Sequence, residues 1–321
     1  MQGAVEEAFE TAGVGPVSNL SIDERAVEAA QALLSRPEIE PAWIKPLVRA
    51  IKRKRLKLPT LSPTTAQIVR LIENTDVEID ELSRAVMRDP GLATRVMGVA
   101  NSSYFRGVSE VPNVKEALMR MGLREARTIV IVVALKSTVL SGPSNGPAAL
   151  KLWKHALLTA SAAQEVCAKL SPWEHVGMLA GLVHDLGKLV IMAFAQDEPG
   201  WQGPASPPPA EVIDSIMRDV HAPLGAMMLA SWGFAPCFCE AVLAHEAPNM
   251  LRYRPDAGRL AASLHLSNAI AHQVEAGWPT TLEEIPEALV EEAESLGFSV
   301  ERLVEIAEDT SASFEYLSRV G

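Results

Sequence analysis

The stretch Leu179-Ala-Gly-Leu-Val-His-Asp-Leu-Gly-Lys-Leu-Val-Ile-Met192 lies in the middle of the chain and decides how the rest is interpreted. Its apolar residues recur at intervals of three and four, which predicts a helix buried along one stripe. Two polar residues, His184 and Asp185, stand side by side within this apolar run. A buried carboxylate costs free energy unless a cation or hydrogen-bond donors compensate it, so the doublet needs an explanation.

Two explanations are open for the doublet. An imidazole nitrogen and a carboxylate oxygen together suit borderline divalent ions such as iron, manganese or zinc. Alternatively, His184 and Asp185 are a hydrogen-bonded pair without an ion, because buried polar groups usually find protein partners. The same stretch contains Gly187, which would let another backbone or a ligand come close, and Lys188, which could face a phosphate. Which explanation applies depends on whether other potential ligands in the chain lie close to the doublet.

The composition predicts an all-α fold. Aromatic residues make up only 5% of the 321 residues, and the chain is rich in the helix formers Ala, Leu and Glu. The run Thr128-Ile-Val-Ile-Val-Val133 is β-branched and would be a strand by propensity alone. No similar run exists to pair with it, and an unpaired strand is not stable. We therefore predict a buried helix there.

Charge and cysteine content narrow the class of protein. A formal net charge of −11 argues against binding to nucleic acid or to an anionic membrane. The short basic run from Lys52 to Lys57 is the only support for DNA binding, and such a run is typical of a solvated helix C-terminus. The chain has three cysteines and no visible export signal, and its most apolar run, Ile129 to Leu135, is about a third of the ~20 residues needed to cross a bilayer. We therefore expect a soluble cytoplasmic protein with reduced thiols.

Two proline-containing segments divide the chain. The segment Leu58 to Pro63 is predicted to be extended, and the Gly- and Pro-rich segment Ser141 to Pro147 is predicted to link two lobes. The predicted organisation is an N-terminal helical extension (1–54), a central domain (55–275) and a C-terminal helical segment (276–321). Within the central domain we expect an N-terminal helical lobe (55–148) and a second lobe (149–275).

The second lobe carries six polar residues that are candidates for one site. Apart from the adjacent doublet, each lies on or at the end of a different predicted helix. His221, for example, is predicted to begin a helix that follows one from Ala210 to Val220. Scattered histidines are individually more often packed or solvated than ligating, so spacing alone leaves both interpretations open. The six candidates are His155, His184, Asp185, His221, His245 and Asn268.

In this order, the six residues resemble the ligand set of the HD superfamily of metal-dependent phosphohydrolases. Segments of the first lobe make the resemblance more specific, because in combination they are similar to the HDOD family. These segments are Leu58-Pro-Thr-Leu-Ser-Pro63, Asp89-Pro-Gly-Leu-Ala-Thr-Arg-Val-Met97, Val99-Ala-Asn-Ser-Ser-Tyr-Phe105 and Leu118-Met-Arg-Met-Gly-Leu123. The resemblance covers roughly residues 55–275.

The resemblance implies a helical bundle packed on a degenerate HD lobe. It also implies a regulatory role in bacterial signalling, exerted through contacts with signalling proteins and without catalysis. The six candidates would hold a divalent metal, and no other cofactor is expected. Asn268 stands where the catalytic pattern has an aspartate, so the expected site keeps one carboxylate, Asp185.

The resemblance also leaves an enzymatic alternative open. A second histidine beside His245, as in the two-metal HD enzymes, is missing because Ala244 and Glu246 flank it. Nevertheless, the surviving histidines could support a metal-dependent phosphodiesterase or phosphohydrolase that acts on a nucleotide or cyclic dinucleotide. Lys188 would then contact a phosphate oxygen. Such catalysis would require a metal-bound water and a second carboxylate or ion.

Overall fold

The computed structural model describes residues 21–74, 76–102, 104–105, 109–140, 146–169, 176–202, 208–248, 255–279 and 281–320. Within these ranges the secondary structure is helical throughout and contains no strand. The prediction of an all-α fold is therefore confirmed.

Seven helices form the N-terminal extension and the first lobe. They are α1 (Ile22–Ala32), α2 (Pro41–Lys52), α3 (Pro63–Glu73), α4 (Ile79–Val86), α5 (Pro90–Ala100), α6 (Val114–Met121) and α7 (Leu123–Leu140). The second lobe contains α8 (Pro147–Cys167), α9 (Gly177–Val183), α10 (Gly187–Asp197), α11 (Pro199–Gln202), α12 (Ala210–Trp232), α13 (Pro236–Leu243) and α14 (Pro255–Ala276). Two further helices, α15 (Glu287–Ser295) and α16 (Val300–Val320), complete the chain.

Helix α7 contains the β-branched run Thr128 to Val133, and the prediction of a buried helix there is confirmed. Every residue of this run is buried, because α7 packs against α3, α5 and α6 within its own lobe and against α8 and α9 of the second lobe. A helix surrounded on all sides can be apolar all round. Tertiary packing thus overrides the strand propensity of valine and isoleucine.

The central stretch is not one continuous helix, which corrects the sequence-based expectation. Helix α9 ends at Val183 and α10 begins at Gly187, so that His184, Asp185 and Leu186 form a turn between them. Apolar periodicity continues across this turn because both helices bury their residues in the same core. The break places the two polar residues of the doublet at the junction of two helices.

A second correction concerns the helix around His221. We expected one helix from Ala210 to Val220 and another beginning at His221, but α12 runs unbroken from Ala210 to Trp232 with Pro223 inside it. Proline removes one backbone hydrogen bond from a helix and usually kinks or breaks it. Here Pro223 and its neighbours are buried, so packing stabilises the continuous helix.

The lobes share one hydrophobic core. A single cluster of buried side chains extends from α1 through both lobes to α14, with Leu317 of α16. A smaller cluster lies where α15 and α16 pack against α8 and α14. Because this core spans the extension and both lobes, it does not mark the predicted boundaries of 1–54, 55–275 and 276–321. These boundaries stay predictions.

One segment, Gly177–Asp197, is long and apolar enough to cross a membrane by length and composition, with a mean hydropathy of 1.6. However, 72% of its apolar window is buried inside the protein. It is the α9–α10 segment at the centre of the second lobe, and this burial accounts for its apolar character.

Glycines allow this central segment to approach its neighbours closely. A Cβ atom at Gly181 of α9 would lie 2.4 Å from the Cα atom of Ala160 in α8. A Cβ atom at Gly187 of α10 would lie 1.9 Å from the carbonyl oxygen of His221 in α12. The expectation that Gly187 lets another backbone come close is confirmed. The close approach of the backbones at Gly181 and Gly187 holds the turn that contains His184 and Asp185 between helices α8 and α12.

Candidate metal centre

The turn between α9 and α10 buries His184 completely and orients its ring. The Nδ1 atom of His184 donates a hydrogen bond to the carbonyl oxygen of Gly181 at 2.8 Å. Its Nε2 atom is buried and has no hydrogen-bond partner among the described residues. Because a carbonyl oxygen only accepts, Nδ1 carries the proton and the neutral ring has its lone pair at Nε2.

Two other histidines are oriented in the same way. In α12, His221 Nδ1 lies 2.8 Å from the carbonyl oxygen of Met217. Just after α13, His245 Nδ1 donates to the carbonyl oxygen of Val242 at 2.7 Å. A backbone acceptor on one ring nitrogen is the usual way in which a metal-ligating histidine is held in place. Three Nε2 atoms oriented in this way lie around Asp185, those of His221 and His245 near Oδ1 and that of His184 near Oδ2.

The carboxylate of Asp185 lies among these nitrogen atoms. It is 1% exposed, and four histidine Nε2 atoms and one ammonium group surround it. The distances are 3.1 Å from Oδ1 to His221, 3.9 Å from Oδ1 to His245, 3.5 Å from Oδ2 to His184 and 3.8 Å from Oδ2 to His155. The Nζ atom of Lys188 forms an ion pair with Oδ2.

The spacing of these atoms fits a divalent ion. The Nε2 atoms of His221 and His245 lie 3.3 Å apart. Two lone pairs at this distance repel each other unless a proton or a cation lies between them. Tetrahedral zinc with bonds of ~2.0 Å to nitrogen separates its ligand atoms by about 3.3 Å. The donor set of one carboxylate and three imidazoles also suits such ions.

The local electrostatics favour the protonation states that metal ligands need. Burial lowers the pKa of His184 to about 3, so that its ring is neutral. Burial alone would raise the pKa of Asp185, but His221 and the ammonium group of Lys188 hold that pKa well below its usual range. Asp185 is therefore ionised. An anionic carboxylate beside a neutral imidazole is the state in which both can bind a metal.

Protonation of His245 is the alternative to a bound ion. Burial would lower the pKa of His245, but a hydrogen bond to Glu246 and the charge of Asp185 raise it. The same hydrogen bond lowers the pKa of Glu246 to about 2. An imidazolium at His245 would also relieve the contact with His221, so metal binding stays a prediction.

The structure brings all six predicted residues together, but His155 and Asn268 differ from the rest. The Nε2 atom of His155 lies 2.9 Å from the amide oxygen Oδ1 of Asn268. Because this oxygen only accepts, Nε2 of His155 carries a proton there. Lys188 pairs with Asp185, and its proposed contact with a phosphate stays a prediction.

Three residues of the site were missed in the sequence analysis. Glu246 Oε1 lies 3.3 Å from His245 Nε2 and 3.6 Å from His221 Nε2, so the cluster has a second carboxylate where we expected only Asp185. His272 and Glu275 lie on α14, beside His155. The spacing of Asn268, His272 and Glu275 at positions i, i+4 and i+7 was a signal, because such residues share one helix face.

The fold is helical wherever the structure describes it, and a buried histidine–aspartate cluster lies at a break between two helices. Together these two features define the class of protein as a helical HD-like domain. The family model of the HDOD domain matches residues 58–248, which is more than half of the chain. The chain belongs to the HDOD family.

Known proteins resemble this chain over much of its length. It is 25% identical over 237 residues to an "Uncharacterized protein" of Treponema pallidum (strain Nichols), a match that covers 72% of this chain and 45% of that protein. The chain thus spans less than half the length of this relative.

Solved structures share the fold. An HDOD domain protein with unknown function from Geobacter sulfurreducens has 19% identity and a TM-score of 0.62, covering 91% of this chain and 98% of that chain. A "Putative phosphohydrolase" from Shewanella amazonensis SB2B has 21% identity and a TM-score of 0.59, covering 88% and 100%. A "Putative signal transduction protein" from Marinobacter aquaeolei VT8 has 20% identity and a TM-score of 0.60, covering 95% and 69%.

Proposed function

We propose that this protein is a cytoplasmic regulatory module of bacterial signal transduction that acts through contacts with other signalling proteins. Its HD-type cluster holds a divalent ion as a structural element and does not hydrolyse phosphoesters. The observation that carries this proposal is the burial of the cluster. His184 and His245 are 0% exposed, and Asp185 and His221 are 1% exposed.

A hydrolytic centre must admit both a phosphoester and a water molecule to its ion. Here Lys188 covers one oxygen of Asp185, and Asn268 engages the ring of His155. Two surface cavities of about 260 and 270 Å³ are lined by other residues, between α3, α7, α8 and α9 and between α2 and α12. The geometry thus supports an ion that is enclosed by its ligands.

Four residues would hold the ion: Asp185 through its carboxylate, and His184, His221 and His245 through Nε2. When bound, iron, manganese or zinc would neutralise the Asp185 carboxylate and the facing lone pairs. These residues belong to the α9–α10 turn, to α12 and to the segment after α13. Holding them together would stabilise the arrangement of the second lobe.

The surface of the first lobe supports a role in protein contacts. Met87, Tyr104 and Met119 are large apolar side chains with 54%, 68% and 57% exposure. Met87 follows α4 and Met119 lies on α6, and these two helices pack against each other. Met87 and Met119 thus place exposed apolar side chains on or beside two helices that pack together, which is what a partner-binding surface requires.

One observation favours the alternative of a metal-dependent phosphodiesterase or phosphohydrolase. Glu246 supplies a second carboxylate next to His245, and 48% of its side chain is exposed. It could therefore contact both the ion and solvent. The fold is also shared with the "Putative phosphohydrolase" of Shewanella amazonensis SB2B. In that case the cluster must open to admit its substrate.

A turnover assay separates the two functions. The protein is loaded with manganese or iron and incubated with cyclic dinucleotides and common nucleotides, and products are separated by chromatography. We expect no turnover, because the ligands of the ion are buried and enclosed. Metal-dependent turnover that disappears in both His184→Ala and Asp185→Ala would overturn the proposal and establish the phosphodiesterase.

Asn268→Asp tests how the cluster depends on charge. This change adds a carboxylate next to His155, and carboxylates supply much of the binding of divalent ions. We expect manganese to bind at least ~10-fold more tightly, as is typical of changes around a metal site. Affinity is measured by competition with a fluorescent chelator. Asn74→Asp, an exposed position of the first lobe, adds the same charge elsewhere and should change nothing. Equal affinities in both variants would contradict a metal centre beside residue 268.

A further inference from the structure

The face of α14 that carries Asn268 continues outward to His272 and Glu275. One turn beyond Asn268, the ring of His272 stacks on the ring of His155, with centroids 4.5 Å apart. Oε2 of Glu275 lies 3.3 Å from Nδ1 of His155 and 3.6 Å from Nδ1 of His272. His155 is buried, whereas the side chains of His272 and Glu275 are 59% and 31% exposed. The three side chains therefore form a cluster that begins in the core and ends at the surface.

The hydrogen bond to Asn268 determines which atom of His155 faces this cluster. Because Nε2 of His155 donates to the amide oxygen, the lone pair of the neutral ring is at Nδ1. This Nδ1 atom is buried and has no aligned hydrogen-bond partner in the part of the chain that the structure describes. Its nearest charged neighbour is the carboxylate of Glu275, which is also an acceptor. Two acceptor atoms only 3.3 Å apart, Nδ1 of His155 and Oε2 of Glu275, repel each other unless a positive group lies between them.

We propose that His155, His272 and Glu275 form a second cation site that takes a borderline divalent ion such as Zn²⁺. The proposed ligand atoms are Nδ1 of each histidine and Oε2 of Glu275. One potential ligand atom from each of the three residues lies within 4.8 Å of the other two. Separations of 3.3 and 3.6 Å match those between ligands that bind zinc at ~2.0 Å in a tetrahedron. Two histidines and a glutamate are an established zinc donor set, and the exposed side of the cluster leaves a position for water.

The proposal assigns the ring of His155 to the outer site alone. With an ion at its Nδ1, His155 keeps its Nε2 proton toward Asn268 and is not a ligand of the inner cluster. The inner ion would then be held by His184, Asp185, His221 and His245 alone. The outer site does not depend on the proposed function, since it uses no residue of the inner set.

Zinc stoichiometry and affinity test the outer site. The full-length protein is stripped with a chelator and titrated with Zn²⁺ in competition with a fluorescent chelator. Glu275→Gln and His272→Ala should each weaken one binding event at least ~100-fold, beyond the effect of altering a residue around a metal site. Glu287→Gln, at an exposed glutamate in the first turn of α15, is the matched control and should bind as the wild type does. Asp185→Asn should lose the inner event and keep the outer one.

The imidazole nitrogens supply a second readout. In ¹⁵N-labelled protein, Zn²⁺ should shift the Nδ1 resonances of His155 and His272, while the Nε2 proton of His155 persists. Both substituted residues are partly exposed, so the variants should fold, which circular dichroism checks. If zinc binds to Glu275→Gln and His272→Ala as it does to the wild type, the outer site is refuted. It is also refuted if His155 carries protons on both nitrogens at saturating Zn²⁺, because Glu275 then pairs with an imidazolium.

Discussion

Asp185→Ala is expected to remove the bound metal and to lower the free energy of unfolding by about 3 kcal/mol. Among the described residues, Asp185 is the carboxylate that pairs with Lys188, and it lies within 4 Å of four histidine nitrogens. Removing one partner of a buried ion pair typically costs about 3–5 kcal/mol, because the remaining charge stays uncompensated. Lys188 is 28% exposed and can turn partly toward solvent, which places the expected cost at the lower end.

The measurements are metal content and melting temperature. Metal is determined by mass spectrometry in protein purified without added ions, and calorimetry compares wild type and variant after both are stripped with a chelator. A loss of 3 kcal/mol should lower the melting temperature by about 5 °C or more. Asp214→Ala, at an exposed position of α12, removes a carboxylate from the surface and should leave both quantities unchanged. Unchanged metal content and melting temperature in Asp185→Ala would show that the cluster has no role in binding or stability.

The sequence predicted the helical fold because the information is local. Apolar residues at intervals of three and four identify a helix without knowledge of its neighbours. For the run from Thr128 to Val133, helix could be predicted over strand only because no partner strand exists. The capping box of Ser21 and Glu24, which begins α1 in the structure, is an equally local signal. Such features depend on residues that are close in the chain.

The geometry of the site could be predicted only in part. The six candidates do meet, as their number in one lobe suggested. The turn at His184 could not be predicted, because the apolar pattern continues through it on both sides. The proton positions depend on contacts distant in sequence, such as that between His155 and Asn268, 113 residues apart. Glu246, His272 and Glu275 were missed because the ligand pattern that the chain resembles does not include them.

Gly187 is the position at which backbone packing determines the site. It directly follows the turn formed by His184, Asp185 and Leu186 and begins α10. A Cβ atom there would lie 1.9 Å from the carbonyl oxygen of His221 and 2.5 Å from the backbone nitrogen of Gly225. Both atoms belong to the backbone of α12, so rotation of a side chain cannot relieve the overlap. The helices α10 and α12 would have to move apart.

We therefore expect Gly187→Ala to destabilise the protein by about 3 kcal/mol or more, the upper range for overpacked cores. It should also weaken metal binding, because separating α10 from α12 moves Asp185 away from His221. Chemical denaturation and chelator competition measure the two effects. Gly98→Ala is the matched control, since Gly98 lies in α5 and, among the described residues, no atom outside the adjoining backbone lies within 4 Å of the added Cβ. Alanine is favoured over glycine inside a helix by roughly 0.5–1 kcal/mol, so this control should stabilise the protein. The same substitution should thus have opposite signs at the two positions, and equal stability of Gly187→Ala and wild type would show that α10 and α12 do not pack at this distance.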